Sequence, residues 1–295
     1  MRTPPAQELS ARPRPITVRP VHRPWSPLRA FGAAFVAILF ALPLVFMISG
    51  SLRPPGLPPP ASPQLVPDPL GLGSYGRAFD LVDLGRYTFN SLVVVALVVP
   101  LTVVVASWAG FAIARLGGRS AALLVAVSIA ALMVPTTALI VPRFTLYRLL
   151  GVTDTWVPLV APALLGTSPL FVLLYAVAFR RLPRDLYDAC ALESLGPFAT
   201  WRRVAMPVVT PVTAAVAVLA FVVSWGSALE PLVYLFDPAL YTLPLGLRSL
   251  AVLDRSDYPV FLAGCVVATA PVLLAFLVAQ RWLPLTRKGA EWLAR

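Results

Sequence analysis

The chain has 295 residues, 58% of them hydrophobic and only 13% charged, with a formal net charge of +11. Ordinary soluble domains carry roughly 25% charged residues, and a globule of this length cannot hide so much apolar surface. Two cysteines, Cys190 and Cys265, exclude a disulfide scaffold, and with the one histidine, His22, they leave little for a structural zinc site or a histidine-based triad.

Residues 1–28 are rich in Arg and Pro and lack the short apolar core of a cleavable signal, so they are expected to form a disordered cytoplasmic tail. Six charge-free windows follow, at 30–51, 87–114, 120–142, 155–179, 204–229 and 258–280. Each reaches the roughly 20 residues that cross a bilayer as a helix. Lipid offers no partners to backbone N–H and C=O groups, which favours helices over open strands. The fold expected is all-α, a polytopic membrane protein with six transmembrane helices over 29–285 and a cytoplasmic tail at 286–295. Pro43, Pro100, Pro135, Pro162 and Pro169 lie inside the windows and are expected to bend them.

The connections differ in length. After the first window, Pro54, Pro55, Pro58, Pro59 and Pro60 make a stiff extended segment, and 68–84 has the spacing of a short surface helix. Gly71, Gly73 and Gly76 lack the Lys and Ser/Thr of a phosphate loop and read as a turn. Residues 115–119 form a tight basic turn, and 143–154 a short interfacial helix. The apolar stretch 231–247, interrupted by Asp237, is expected to be interfacial or re-entrant and not a seventh span.

Lys and Arg near membrane segments are held on the cytoplasmic side. With the N-terminus inside, that side collects seventeen of the 24 basic residues and the other side seven. Both termini are therefore expected in the cytoplasm. The same count explains the positive charge as flanks resting on anionic headgroups of membrane lipid, with no nucleic acid implied.

The loop 180–206 is far longer than a connection needs. Pro183 suits a first helical position, and Asp185 and Asp188 favour the positive end of a helix and share a face. Leu186, Ala189 and Leu192 approximate an apolar face, and Gly196 with Pro197 breaks the helix before a second stretch, 198–206. Periodicity leaves two readings open: an amphipathic helix on the inner membrane surface, or a docking element for a soluble partner.

The segment Leu182-Pro-Arg-Asp-Leu-Tyr-Asp-Ala-Cys-Ala-Leu-Glu-Ser-Leu-Gly196, followed by Trp201-Arg-Arg-Val-Ala-Met-Pro207 and Pro211, resembles the cytoplasmic EAA loop of permease subunits of bacterial ABC importers. It is most similar to the carbohydrate branch, the relatives of the second maltose-importer permease. On that resemblance the Glu-Ala-Ala triplet falls on Asp188, Ala189 and Cys190, the following Asp on Glu193, the Gly on Ser194, the aromatic on Trp201 and the prolines on Pro207 and Pro211. Asn90-Ser-Leu, Gly110-Phe-Ala-Ile-Ala-Arg-Leu116, Met133-Val-Pro135 and Ser224-Trp225 extend it to roughly residues 30–285.

The resemblance implies a type I importer fold, a location in the bacterial inner membrane, and a coupling helix that inserts into a separate ATPase subunit. It also implies the partners: a dimer of ATP-binding subunits, a second permease making a heterodimer, and an extracytoplasmic solute-binding protein. ATP-Mg belongs to the partner subunit. In agreement, these residues contain no phosphate-binding loop, so this chain is expected to be no enzyme and to carry no cofactor or metal of its own.

Ser194 in place of Gly is the serious departure. A left-handed backbone there costs a serine roughly 1 kcal/mol, unless Gly196 supplies the turn in a shifted register.

For the substrate pathway the candidates are the polar and aromatic residues of the windows. They are Asn90, Thr136, Ser224, Trp225 and Ser227, with Ser107, Trp108 and Thr137 beside them, and Glu230 at the outer end of the fifth helix as a gate or a solvated charge. Each has a plainer role in packing or bonding to its own helix. Two other classes stand as alternatives. A stand-alone secondary transporter or channel normally keeps ionisable residues deep in its spans, and the six windows have none. A non-transporting permease subunit is supported only by the altered loop.

Overall fold

The computed structural model describes residues 27–60, 62, 64–164, 168–253 and 257–280, so the expected tails lie outside the described residues except for Pro27 and Leu28, which are helical instead of disordered. Every regular element among the described residues is helical: α1 (Pro27–Ser51), α2 (Gly73–Leu81), α3 (Leu84–Arg115), α4 (Gly118–Leu132), α5 (Ile140–Leu149), α6 (Val157–Leu164) and α7 (Pro169–Arg180). There follow α8 (Arg184–Leu192), α9 (Pro197–Thr200), α10 (Met206–Val208), α11 (Thr210–Trp225), α12 (Leu229–Tyr234), α13 (Leu243–Leu253) and α14 (Tyr258–Ala279). The chain divides into two compact units, Met1–Leu44 and Val45–Arg295. Of the first, the described part is the beginning of α1, where Leu28, Phe31, Phe35 and Phe40 are exposed.

Pro27–Ser51, Leu84–Arg115, Val157–Arg180 and Tyr258–Ala279 are long and apolar enough to cross a membrane. The windows at 120–142 and 204–229 each hold a sharply bent helix pair, the geometry of a broken span or of a re-entrant loop. α4 and the Thr136–Leu149 segment meet at 85°, and Pro197–Val208 meets α11 at 86°. Proline lies at both breaks and has no N–H to donate to the helical ladder. Pro135 has extended backbone (ψ 128°) between α4 and a 3₁₀ turn at Thr136–Leu139, and Pro207 and Pro211 bracket Val209 at the second bend. Pro43, Pro100 and Pro162 lie inside helices, whereas Pro169 begins α7.

α3 is the central element. It starts where Asp83 caps it by accepting the Arg86 N–H at 3.0 Å, and it packs along α7 at close range. At Gly110 a Cβ would lie 2.6 Å from Tyr175 Cβ and 2.8 Å from the backbone of Val172 and Ala176, the close approach that small residues permit between membrane helices. Around it Phe111, Phe171, Tyr175, Phe179, Trp201 and Val209 form one buried cluster. A second joins Leu84, Tyr87 and Val95 to Trp225, Leu243 and Val260, and a third joins Val94 and Tyr147 to Leu159 and Tyr234.

In the connection 52–83 the expected short helix is α2, while the proline stretch, expected to be extended, turns at Pro55–Gly56, where Gly56 has φ 83°. Gly73 and Gly76 lie in α2 and form no turn. The buried Ser74 hydroxyl fastens that helix by donating to the Arg53 carbonyl at 2.5 Å. Asp257, buried at 1% exposure, anchors the same region from the start of α14. Its carboxylate accepts the Gly56 N–H at 2.9 Å and pairs with Arg77 Nε at 2.9 Å.

Asp154 makes a second clamp. Its backbone is left-handed (φ 58°), its N–H donates to Tyr234 at 2.9 Å, and its carboxylate accepts the N–H groups of Phe236 and Asp237 at 2.8 and 2.9 Å.

Two outcomes follow from this packing. Gly110→Val forces α3 from α7 and should cost about 1–3 kcal/mol of stability, read as a lower thermal unfolding midpoint in detergent. The backbone donors hold the Asp154 carboxyl below its ordinary value of 3.8. A folded-state value below the unfolded one stabilises above the unfolded value and is lost as pH falls through the folded value. The stability advantage of the wild type over Asp154→Asn should therefore shrink as pH is lowered from about 6 to about 3, measured by thermal unfolding at each pH.

Candidate functional site

A cavity of about 400 Å³ opens between α3, α5, α6, α7, α11 and α12. Both bent helix pairs line it. The 3₁₀ turn after Pro135 presents Thr136 and Thr137, and the end of α11 presents Ser224, Gly226 and Ser227 before α12 begins. Thr102 of α3 and Ser168 at the start of α7 add two more hydroxyls, and Val98, Leu159, Phe171 and Val223 supply apolar wall. Arg143 and Glu230 are its two ionisable groups. Arg143 Nη1 lies 3.8 Å from Glu230 Oε1, too far for a hydrogen bond, so their attraction is Coulombic. Ser227 Oγ donates to Glu230 Oε2 at 3.3 Å. Burial raises the Glu230 carboxyl above its ordinary value, and Ser227 and then Arg143 pull it partly back. The lining is thus formally neutral and rich in hydroxyls, suited to a polar uncharged molecule with apolar faces.

Thr136, Ser224, Ser227 and Glu230 come together here, as does Thr137. Glu230 is no freely solvated charge, since its side chain is 31% exposed and paired. Asn90 and Trp225 do not line the cavity. The Asn90 amide is buried and donates to the Ala239 and Tyr241 carbonyls, both at 2.9 Å. Trp225 donates to the Ala268 carbonyl at 3.0 Å and stacks on Phe221. Both satisfy neighbouring backbone. Ser107 bonds within its own helix, to Val104. Sequence reasoning missed Thr102, Arg143 and Ser168. Arg143 directly follows a charge-free window ending at Pro142, and the Met133–Pro135 break was the signal that the segment bends there.

The loop 180–206 forms the second feature. Pro183 is the residue before α8 (ψ 140°) and not its first helical residue. α8 turns Cys190 inward and leaves Asp185, Asp188, Ala189, Leu192 and Glu193 exposed. The Tyr187 hydroxyl donates to the Phe179 carbonyl at 3.1 Å, and the Arg115 guanidinium sits 4.9 Å over its ring. α8 is thereby tied to the ends of both α7 and α3.

The helix ends in a Schellman motif: Leu195 N–H donates to Cys190 at 2.9 Å and Ser194 N–H to Ala191 at 3.0 Å. Ser194 is left-handed, with φ 52°. Gly196 has φ −65° and ψ 164°, ordinary extended backbone. The shifted-register alternative is therefore wrong, and the serine itself carries the strained turn. Beyond it α9 and a π turn at Trp201–Ala205 lead through Pro207 into α11. Trp201 is buried edge-on to Trp108, with centroids 5.0 Å apart, and beside Phe198.

Relieving that turn should be measurable. Ser194→Gly is expected to stabilise the chain by about 1 kcal/mol and Ser194→Val to destabilise it. The thermal unfolding midpoint of the full chain in detergent would rise and fall accordingly, and equal midpoints would contradict the strain.

Residues 102–286 match the family described as binding-protein-dependent transport system inner membrane component. The sulfoquinovosyl glycerol transport system permease protein SmoH of Agrobacterium fabrum is 28% identical over 254 residues, 86% of this chain and 89% of the relative. The arabinooligosaccharides transport system permease protein AraQ of Halalkalibacterium halodurans is 29% identical over 260 residues, covering 86% and 92%. The trehalose transport system permease protein SugB of Mycobacterium tuberculosis is 26% identical over 242 residues, covering 81% and 88%. A chain in the crystal structure of a bacterial ABC transporter involved in the import of the acidic polysaccharide alginate has the same fold, with a TM-score of 0.70 at 16% identity over 86% of this chain and 94% of that one. The chain therefore belongs to the family of inner membrane components of binding-protein-dependent transport systems.

Proposed function

We propose that this chain is the permease subunit of an ABC importer for a sugar, moving the solute through the neutral, hydroxyl-lined cavity while a separate ATPase pair works on α8. The observation that carries the reading is where the loop is strung. α7 and α11, the helices that enter and leave it, both line the cavity at their far ends, through Phe171 and Ser224. The 16 residues of α11 span about 24 Å, so a push on α8 has a stiff path to the solute. Leu192 and the carboxylates of Asp185, Asp188 and Glu193 give α8 an exposed edge for a groove on the partner, while Tyr187 and Cys190 hold its other edge.

In this reading both termini and the loop are cytoplasmic, as the basic residues favour. ATP-Mg is held by a dimer of ATP-binding subunits, a second permease completes the pathway as a heterodimer, and an extracytoplasmic binding protein delivers the sugar. The sugar names of the relatives support that substrate class, as does a lining whose cation and anion cancel.

Copurification from the native membrane tests the coupling. An ATP-binding subunit should accompany the wild type and be lost with Asp188→Arg; a wild-type complex without any ATPase would overturn the reading. The cavity is tested separately by uptake of labelled trehalose, arabino-oligosaccharides and sulfoquinovosyl glycerol. Whichever is imported, Glu230→Ala should lower its uptake roughly tenfold, the cost of a lost hydrogen bond to a charged group, with the ATPase still bound. Undiminished uptake would remove Glu230 from the pathway.

A further inference from the structure

A second cavity, of about 850 Å³, lies at the opposite end of α7, between the α3–α4 turn and α8. Three arginines line it: Arg115, the last residue of α3, Arg180, the last of α7, and Arg184, the first of α8. Asp188 is the one acid in the lining, leaving an excess of two positive charges. Among the described residues, none of the three arginines has a carboxylate within 4.0 Å. Helix dipoles favour Arg115 and Arg180 where they stand, at C-termini, but they disfavour Arg184, a cation in the first turn of α8. An anion in the cavity would offset that cost.

The walls narrow the identity of that anion. Arg115 and Arg180 end two segments long and apolar enough to cross a bilayer, which sets the cavity where hydrocarbon gives way to headgroups. One wall is apolar and belongs to α4, through Ala121 and Val125. The α3–α4 turn enters the lining at Gly117 and Gly118, and α4 has no side-chain cap on its first N–H groups. An occupant with a phosphate at the arginines and a hydrocarbon chain along α4 satisfies both surfaces. The chain's own tails do not, because residues 1–26 and 281–295 are both net basic.

We propose that this cavity is a binding site for the headgroup of an anionic phospholipid, seated between the α3–α4 turn and α8. Its occupant touches α8 at Arg184 and Tyr187, so lipid composition bears directly on the loop. The site does not depend on α8 contacting an ATPase.

The full chain, purified with whatever subunits accompany it and stripped of lipid in detergent, is titrated with dioleoylphosphatidylglycerol, dioleoylphosphatidylcholine or inorganic phosphate. Retained lipid is read by native mass spectrometry and stability by thermal unfolding. Phosphatidylglycerol should be retained and raise the midpoint, and phosphatidylcholine and inorganic phosphate should not. Arg180→Gln/Arg184→Gln leaves the Arg115–Tyr187 contact intact and should weaken phosphatidylglycerol binding at least about tenfold, as expected for roughly 1 kcal/mol per arginine. Arg202→Gln/Arg203→Gln removes the same charge from the same loop outside the cavity and should retain wild-type binding. Equal losses in the two double variants would show diffuse attraction and overturn the site. So would equal binding of the two lipids, or a midpoint raised by inorganic phosphate alone.

Discussion

Inside a bilayer every backbone N–H and C=O must find its partner within the protein, and irregular backbone survives there only where protein buries it or a polar cavity receives it. The rest of this structure depends on that constraint. Two of the apolar segments break at prolines, near Pro135 and between Pro207 and Pro211. The first break presents its freed turn, Thr136 and Thr137, to the cavity, and α11, which follows the second, ends there in Ser224, Gly226 and Ser227. The cavity gains hydroxyls within a largely apolar lining because the helices stop at it. The unbroken α3 beside it supplies the rigid wall, packed on α7 at the distance Gly110 allows.

The connecting segments are held by a few carboxylates that answer backbone donors. Asp257 joins the connection 52–83 to the start of α14, Asp154 gathers the turn before α6 and the strand of backbone after α12, and Asp83 starts α3. A carboxylate that accepts two N–H groups fixes a loop without a large apolar core, which suits segments that must stay outside hydrocarbon. The loop 180–206 uses a different device. Its helix is held at one edge by Tyr187 and Cys190 and closed by a Schellman turn, and its remaining edge is left open.

Much of the site was legible from residue type and place. Thr136, Ser224, Ser227 and Glu230 are polar groups near the ends or breaks of apolar segments, and such groups line a cavity when the helix stops beside them. Asn90 and Trp225 have the same chemistry but face the carbonyls of Ala239, Tyr241 and Ala268. The rotation of each helix against its neighbours decides which of these a polar side chain meets, and these apolar helices have no distinct polar face to announce it. Arg143 was hidden for another reason: a charge after a long apolar window reads as a flank, yet the bend returns α5 along the cavity wall.

The sequence by itself determined the helical class, the six apolar segments and the long loop with its acidic helix. These follow from chain-local physics: span length, proline geometry and charge cost in lipid. Only the tertiary structure decided that two of the segments are bent near a right angle, that Ser194 and not Gly196 takes the strained backbone, and that three arginines from separate helices surround one cavity. Those outcomes depend on contacts between residues far apart in the chain, where packing overrides local preference.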